Sequence, residues 1–171
     1  MKKNLLIWLS FLLSFNAYTK TVIHAGFLID GSNDNPMNEM SIYVVDNKIS
    51  EIVTGYIEPE PDDQYIDLSG YTVLPGLIDM HVHLTSNQSS TSRYTESTSL
   101  NPADYAIRSV TNAKKTLMAG FTTVRNLGGS DTVTVSLRNE IAKGTVPGPR
   151  IYTAGLSIAS TGGHADGTNS L

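Results

Sequence analysis

The sequence contains no cysteine among its 171 residues. This absence excludes a disulfide framework, a zinc site built on thiolates, a thiol nucleophile and a lipid-modified N-terminal cysteine. Charge is also scarce, since 16% of the residues are charged and the net charge is −4, so no basic surface exists to hold nucleic acid. Glycine and proline are plentiful, at 14 and 7 residues, and they separate short apolar runs. The composition is that of a globular protein with many short elements joined by turns.

Long apolar runs are also absent, except at the N-terminus. There, residues 5–15 (LLIWLSFLLSF) follow Lys2 and Lys3 and precede the small residue Ala17. A basic start, a short apolar run and a small residue are typical of a secretory signal peptide. The run is shorter than the roughly 20 residues that cross a bilayer as a helix. We predict a signal peptide over residues 1–17 and export to a bacterial periplasm or the medium, with no stable membrane anchoring; an uncleaved anchor or a buried helix is the alternative.

Residues 21–76 carry short β patterns. The turn signal Asp46-Asn47 joins two of them, and Ser69-Gly70 reads as the turn of a further hairpin-like pair. No helical period occurs, so we predict a small antiparallel sheet. The predicted strands are 21–29, 41–45, 48–53, 64–68 and 70–74.

After Pro75-Gly76 strand and helix patterns alternate. Asn101-Pro102 is a good helix start, and the apolar stripe that follows ends at Gly120. The order β-α-β-α-β predicts parallel strands with helices on one side. The predicted strands are 77–84, 121–127 and 150–155, and the second helix is 131–143. The stripe of the first helix is Ala103, Ala106, Ile107, Val110, Ala113, Leu117 and Met118.

The first of these strands ends in His81 and His83. Because side chains alternate along a strand, the two rings project to the same side, close enough for their nitrogens to reach one ion at about 2.0–2.1 Å. Asp79 lies one pleat deeper and is placed to orient a histidine. The alternative is a surface or hydrogen-bonded pair without metal. Alternation predicts Leu77, Asp79, His81 and His83 on one face, and Ile78, Met80, Val82 and Leu84 on a helix-covered face.

Residues 73–84 (VLPGLIDMHVHL) resemble the first-strand signature of the metal-dependent amidohydrolase superfamily. Residues 120–127 (GFTTVRNL) and 149–166 (PRIYTAGLSIASTGGHAD) are similar to its imidazolonepropionase and Xaa-Pro dipeptidase subgroup. The resemblance implies an α/β fold class: the first three βα units of a (β/α)8 barrel over residues 77–171, preceded by part of a small β-sandwich over residues 21–76. It also implies hydrolysis of amide, cyclic amide or dipeptide C–N bonds.

The same resemblance implies that His81 and His83 bind a divalent metal, such as one or two Zn²⁺ ions. Family members add a lysine, two further histidines and a general-base aspartate on later strands, which have no counterpart here. Since a barrel needs about 200–250 residues, we expect the chain to be the inactive N-terminal portion of a longer protein. An incomplete gene, a frameshift or a pseudogene would each produce it. The expected partner is a small-molecule or dipeptide-like substrate, and the full-length protein can form a homo-oligomer.

Three further features have alternatives that stay open. His164 follows the third predicted strand and is either a substrate-binding residue or a loop histidine. Arg125 is either a clamp for a substrate carboxylate or a member of an ion pair inside the barrel. Residues 85–100 form either a lid or a loop without function, and His24 is expected to be structural or solvent-facing.

A rival interpretation remains for the whole chain. It is an exported module that binds a metal or another ligand without catalysis, with the two histidines as a low-affinity site.

Overall fold

The computed structural model describes residues 20–87, 96, 99–129, 132–163 and 165–166. The predicted signal peptide, residues 1–17, and His164 lie outside these residues. The chain divides into two compact units, Met1–Pro75 and Gly76–Leu171. Within the described residues, neither helix is long and apolar enough to cross a membrane.

The first unit is a four-stranded sheet. Its strands are β1 (Thr21–Leu28), β2 (Met37–Val45), β3 (Lys48–Thr54) and β4 (Gln64–Val73), and they lie in the order β3-β2-β1-β4. Asp46 and Asn47 both have positive φ, 49° and 62°, as a tight hairpin turn requires, so the predicted turn between β2 and β3 is confirmed. The core is formed by Val22, Ala25, Leu28, Met40 and Ile42.

The predicted hairpin around Ser69-Gly70 is wrong. β4 runs without a break through these residues, and it pairs with β1 in parallel, so the sheet is mixed rather than antiparallel. The register shifts opposite Gly26, where a Cβ would overlap the Ser69 carbonyl oxygen. Ser69 and Gly70 therefore belong to a β-bulge of β4. The local sequence does not distinguish such a bulge from a turn.

His24 is a structural residue of this sheet. It is buried, its Nε2 lies 3.0 Å from the Ile57 carbonyl oxygen, and its Nδ1 lies 2.9 Å from the Tyr65 hydroxyl. Desolvation raises the pKa of Tyr65. Both ring nitrogens of His24 are thus used in holding β1 to its neighbours.

The second unit alternates strands and helices. The elements are β5 (Leu77–Val82), α1 (Pro102–Met118), β6 (Phe121–Asn126), α2 (Val133–Ala142) and β7 (Arg150–Thr153). The three strands form a sheet in the order β5-β6-β7, and both strand pairs are parallel. The predicted strand–helix order and strand direction are confirmed. Its buried core draws on both helices and is formed by Leu84, Ala113, Val124, Leu137 and Ile151.

Helix α1 begins where the sequence predicts. The Asn101 side chain accepts from the N–H of Asp104, and the Asp104 carboxylate accepts from the N–H of Asn101, which together form a capping box. The predicted apolar stripe is only partly buried: Ala113 lies in the core, but Ile107 and Met118 are 72% and 77% exposed. The apolar periodicity therefore predicted the position of the helix correctly, but fewer residues of the stripe are buried than it indicated.

The predicted faces of β5 also need correction. Val82 packs against the core and Leu84 is buried within it, as predicted, but Ile78 and Met80 are 61% and 55% exposed. The register of β5 on β6 is also irregular, because Asp79 pairs with Val124 and the next pair is Val82 with Asn126. Leu77, on the opposite predicted face, is 43% exposed as well, so this end of β5 is exposed on both faces.

Candidate metal-binding site

The two histidines lie together at the carboxyl end of β5. The ring centroids of His81 and His83 are 5.3 Å apart, with the planes inclined at 66°. Both residues are exposed, and they line one cavity of about 300 Å³ together with Asp79, Asn112 and Lys115. The predicted projection of both rings to one side of the strand is confirmed.

The imidazole of His83 is held through one nitrogen. Its Nδ1 lies 3.1 Å from the carbonyl oxygen of Gly128, in the loop after β6. Because a carbonyl oxygen only accepts, Nδ1 must carry the proton, which leaves the lone pair of the neutral ring on Nε2. This is the arrangement in which protein histidines bind metals, with the second nitrogen donating to a carbonyl or carboxylate.

Asn126 and Gly128 are site residues that sequence reasoning missed. The Asn126 amide donates to the Gly128 carbonyl oxygen at 2.9 Å and accepts from the Leu84 N–H at 2.9 Å. Asn126 is fully buried. Its amide links the end of β5 to the loop after β6, which supports the His83 contact. The sequence did carry a signal for these two residues: a polar residue at the buried end of a strand, followed closely by Gly-Gly.

His81 is held through its backbone. Its N–H donates to Asp79 Oδ1 at 2.9 Å, and the preceding carbonyl, that of Met80, accepts from Arg125 Nε at 2.7 Å. Asp79 therefore forms a hydrogen bond with the main chain of His81. For Arg125, the structure shows a main-chain contact that neither predicted alternative included.

A second, smaller cavity lies beside His83. It measures about 210 Å³, and its lining includes Thr85, Glu96, Tyr105 and Ser157. The Glu96 carboxylate accepts from Arg108 on α1 at 2.7 Å, which ties this part of the loop to the helix. Residues 88–95 and 97–98 of the predicted lid lie outside the described residues.

Two imidazoles fit part of a metal site. Neutral imidazole is a good ligand for Zn²⁺ and related divalent ions, and the proton on Nδ1 of His83 favours binding through Nε2. In the part of the chain that the structure describes, no group of three or more His, Asp or Glu side chains could hold an ion. The described residues thus offer two candidate ligands, and a closed coordination shell needs others.

The fold and the site define an α/β unit with paired imidazoles at the carboxyl ends of parallel strands. Residues 72–170 match the model of the amidohydrolase family. This match covers more than half of the chain, and the chain belongs to the amidohydrolase family.

Solved structures agree with this assignment. A crystal structure of a Xaa-Pro dipeptidase with methionine in its active site is 45% identical, with a TM-score of 0.81 over 90% of this chain and 37% of that one. A prolidase complexed with N-methylphosphonate-L-proline is 34% identical, with a TM-score of 0.72 over 85% of this chain and 34% of that one.

A curated relative is more distant. The ochratoxinase of Aspergillus niger is 27% identical over 151 residues, which cover 85% of this chain and 30% of that protein. The chain therefore spans about a third of the length of the relatives it matches.

Proposed function

We propose that this chain contributes to an exported, metal-dependent hydrolase of carbon–nitrogen bonds. The observation that carries the proposal is the histidine pair, with ring centroids 5.3 Å apart and His83 Nδ1 bonded to a carbonyl. On this proposal the second unit is the first part of a (β/α)8 barrel, and the first unit is part of a companion β-sandwich. The active site of such a barrel lies at the carboxyl ends of its strands, which is where the pair lies.

His81 and His83 are the residues of this chain that would hold the metal. A bound divalent ion such as Zn²⁺ supplies Lewis acidity and a water of lowered pKa. Gly128 keeps the His83 ring in the tautomer that leaves Nε2 for the ion, and Asn126 fixes Gly128. The remaining ligands and the general base come from later strands, so the chain alone is proposed to be inactive.

The substrate class rests on the relatives. The matched structures are named as a Xaa-Pro dipeptidase and a prolidase. We therefore propose a dipeptide or a related small amide as substrate. Among the described residues, the two cavities that meet at His83 are suitably small for such a molecule, at about 300 and 210 Å³.

The activity is tested with two products of the gene, the 171-residue chain and a longer product that includes any downstream reading frame. Both are incubated with Zn²⁺ and a panel of Xaa-Pro and other dipeptides, and the released amino acid is quantified. We expect hydrolysis by the longer product and none by the chain alone. Hydrolysis that survives replacement of both histidines would contradict the proposal.

Export is tested separately. A signal peptide over residues 1–17 requires a mature N-terminus just after Ala17. Mass measurement of material recovered from the periplasm or medium should show that these residues have been removed. Exported material that still contains them would overturn the assignment.

An exported metal- or ligand-binding module is the second candidate. It is favoured by the small ligand set, since the described residues bring only two imidazoles together. It predicts a soluble, monomeric 171-residue chain that binds Zn²⁺ reversibly, with no hydrolysis by any longer product.

A further inference from the structure

The peptide group between Met80 and His81 lies outside the ladder that joins β5 to β6. Asp79 pairs with Val124, and the next pair is Val82 with Asn126. Two residues of β5 therefore stand opposite one residue of β6, which is the arrangement of a β-bulge. The C=O and N–H of a bulged peptide need partners other than the neighbouring strand.

Two side chains supply those partners. Arg125, the residue of β6 opposite the bulge, donates from Nε to the Met80 carbonyl oxygen at 2.7 Å. Asp79, the residue just before the bulge, accepts the His81 N–H at 2.9 Å. An ionised Arg or Asp makes a shorter and stronger hydrogen bond than a neutral partner. The same peptide plane is thus held at its oxygen by one charge and at its nitrogen by the opposite charge.

The orientation of this plane influences where the His81 ring points. Rotation of the plane changes φ of His81, and with it the direction of the Cα–Cβ bond relative to the strand. His83 is fixed differently, through its ring nitrogen and Gly128. The two imidazoles are therefore held by separate contacts. Gly128 holds the ring of His83, whereas Asp79 and Arg125 hold the backbone of His81.

We propose that Asp79 and Arg125 clamp the Met80–His81 peptide and are positioning residues for the histidine pair. This inference rests on the proposed function, because a clamp of this kind matters chiefly for metal binding. Arg125 then has its main role in the geometry of the site, rather than in holding a substrate carboxylate. Loss of residues that orient metal ligands typically weakens metal binding by 10–100-fold.

The clamp is tested by variants of the 171-residue chain. Arg125→Gln and Asp79→Ala each remove one contact, and Arg125→Lys keeps a cationic donor. The matched control is Arg138→Gln, an exposed arginine on α2 that donates to Asn139. Two quantities are measured: the solvent-exchange rate of the His81 amide by NMR, and the Kd for Zn²⁺ by competition with a chromophoric chelator.

We expect Asp79→Ala to speed exchange of the His81 amide several-fold, because the N–H loses its acceptor. Asp79→Ala and Arg125→Gln should each raise the Kd for Zn²⁺ by about tenfold or more. Arg125→Lys should recover part of this loss, and Arg138→Gln should change neither quantity. The unfolding temperature should change little, since both clamp contacts are exposed.

Unchanged exchange in Asp79→Ala, or an unchanged Kd in Arg125→Gln, would overturn the proposal. If Arg125 instead binds a substrate, the Kd of Arg125→Gln for Zn²⁺ should be unchanged. If Arg125→Gln does not fold, Asp79→Ala decides, and a wild-type Kd for Zn²⁺ in that folded variant would count against the clamp. A longer product of the gene that binds no Zn²⁺ would refute the proposed function, whereas the amide exchange rate tests the clamp without metal.

Discussion

Replacement of Asn126 by alanine should destabilise the second unit and loosen His83. The Asn126 amide is fully buried, accepts from the Leu84 N–H at 2.9 Å and donates to the Gly128 carbonyl oxygen at 2.9 Å. Alanine leaves the Leu84 N–H buried without an acceptor, which costs about 1–3 kcal/mol, and it removes a second hydrogen bond worth about 1 kcal/mol. The expected loss in free energy of unfolding is therefore about 2–4 kcal/mol.

Urea denaturation followed by far-UV circular dichroism measures this loss. Dichroism is the suitable probe because the one tryptophan, Trp8, lies in the predicted signal peptide. Asn139→Ala is the matched control: Asn139 is exposed on α2, and its replacement should change stability by less than about 0.5 kcal/mol. A stability of Asn126→Ala within that margin of the wild type would refute the reasoning about the buried amide.

Gly128→Ala should cost about 1–3 kcal/mol, because Gly128 has φ of 147° and a Cβ would also overlap the Ser157 hydroxyl. Thermal unfolding measures the cost, and a variant as stable as the wild type would count against it. The lowered pKa of Asp67 predicts that stability depends on pH. Hydrogen bonds from the Ser69 hydroxyl and N–H lower the pKa of Asp67 below its ordinary 3.8, so its stabilisation is present above that pH and is lost as the pH falls through the folded-state pKa. The difference in urea midpoint between wild type and Asp67→Asn should therefore shrink below pH 3.8, and a difference that grows in acid would be inconsistent with this sign.

Local sequence patterns predicted the elements of the second unit well. The i, i+2 spacing of His81 and His83 correctly placed both rings on one side, and the Asn101-Pro102 pair located the start of α1. These successes share a cause: strand alternation and helix capping depend on residues close in sequence.

The errors arose where distant segments pair. The bulges opposite Gly26 in β1 and at Met80 in β5 depend on the register of two strands, which no single segment specifies. For the same reason Ser69-Gly70 was mistaken for a turn.

The residues that hold His83 in place were missed for a related reason. Gly128 meets His83 only after β5 and β6 have paired, and Asn126 gains its role when that end of the sheet is buried. For Arg125 the sequence leaves two roles open, a clamp for a substrate carboxylate and an ion pair inside the barrel, whereas its hydrogen bond is with a main-chain oxygen of the adjacent strand.

Zn²⁺ content after gel filtration tests the central claim most directly. Elemental analysis should be performed on the longest available product of the gene and on its His81→Ala, His83→Ala double variant, with Asn139→Ala as the control. Both replacements remove imidazoles from exposed positions, so the fold should be kept. The account predicts that the wild type and the control retain zinc and the double variant loses it. Equal zinc content in the folded double variant would contradict the assignment of the histidine pair as metal ligands.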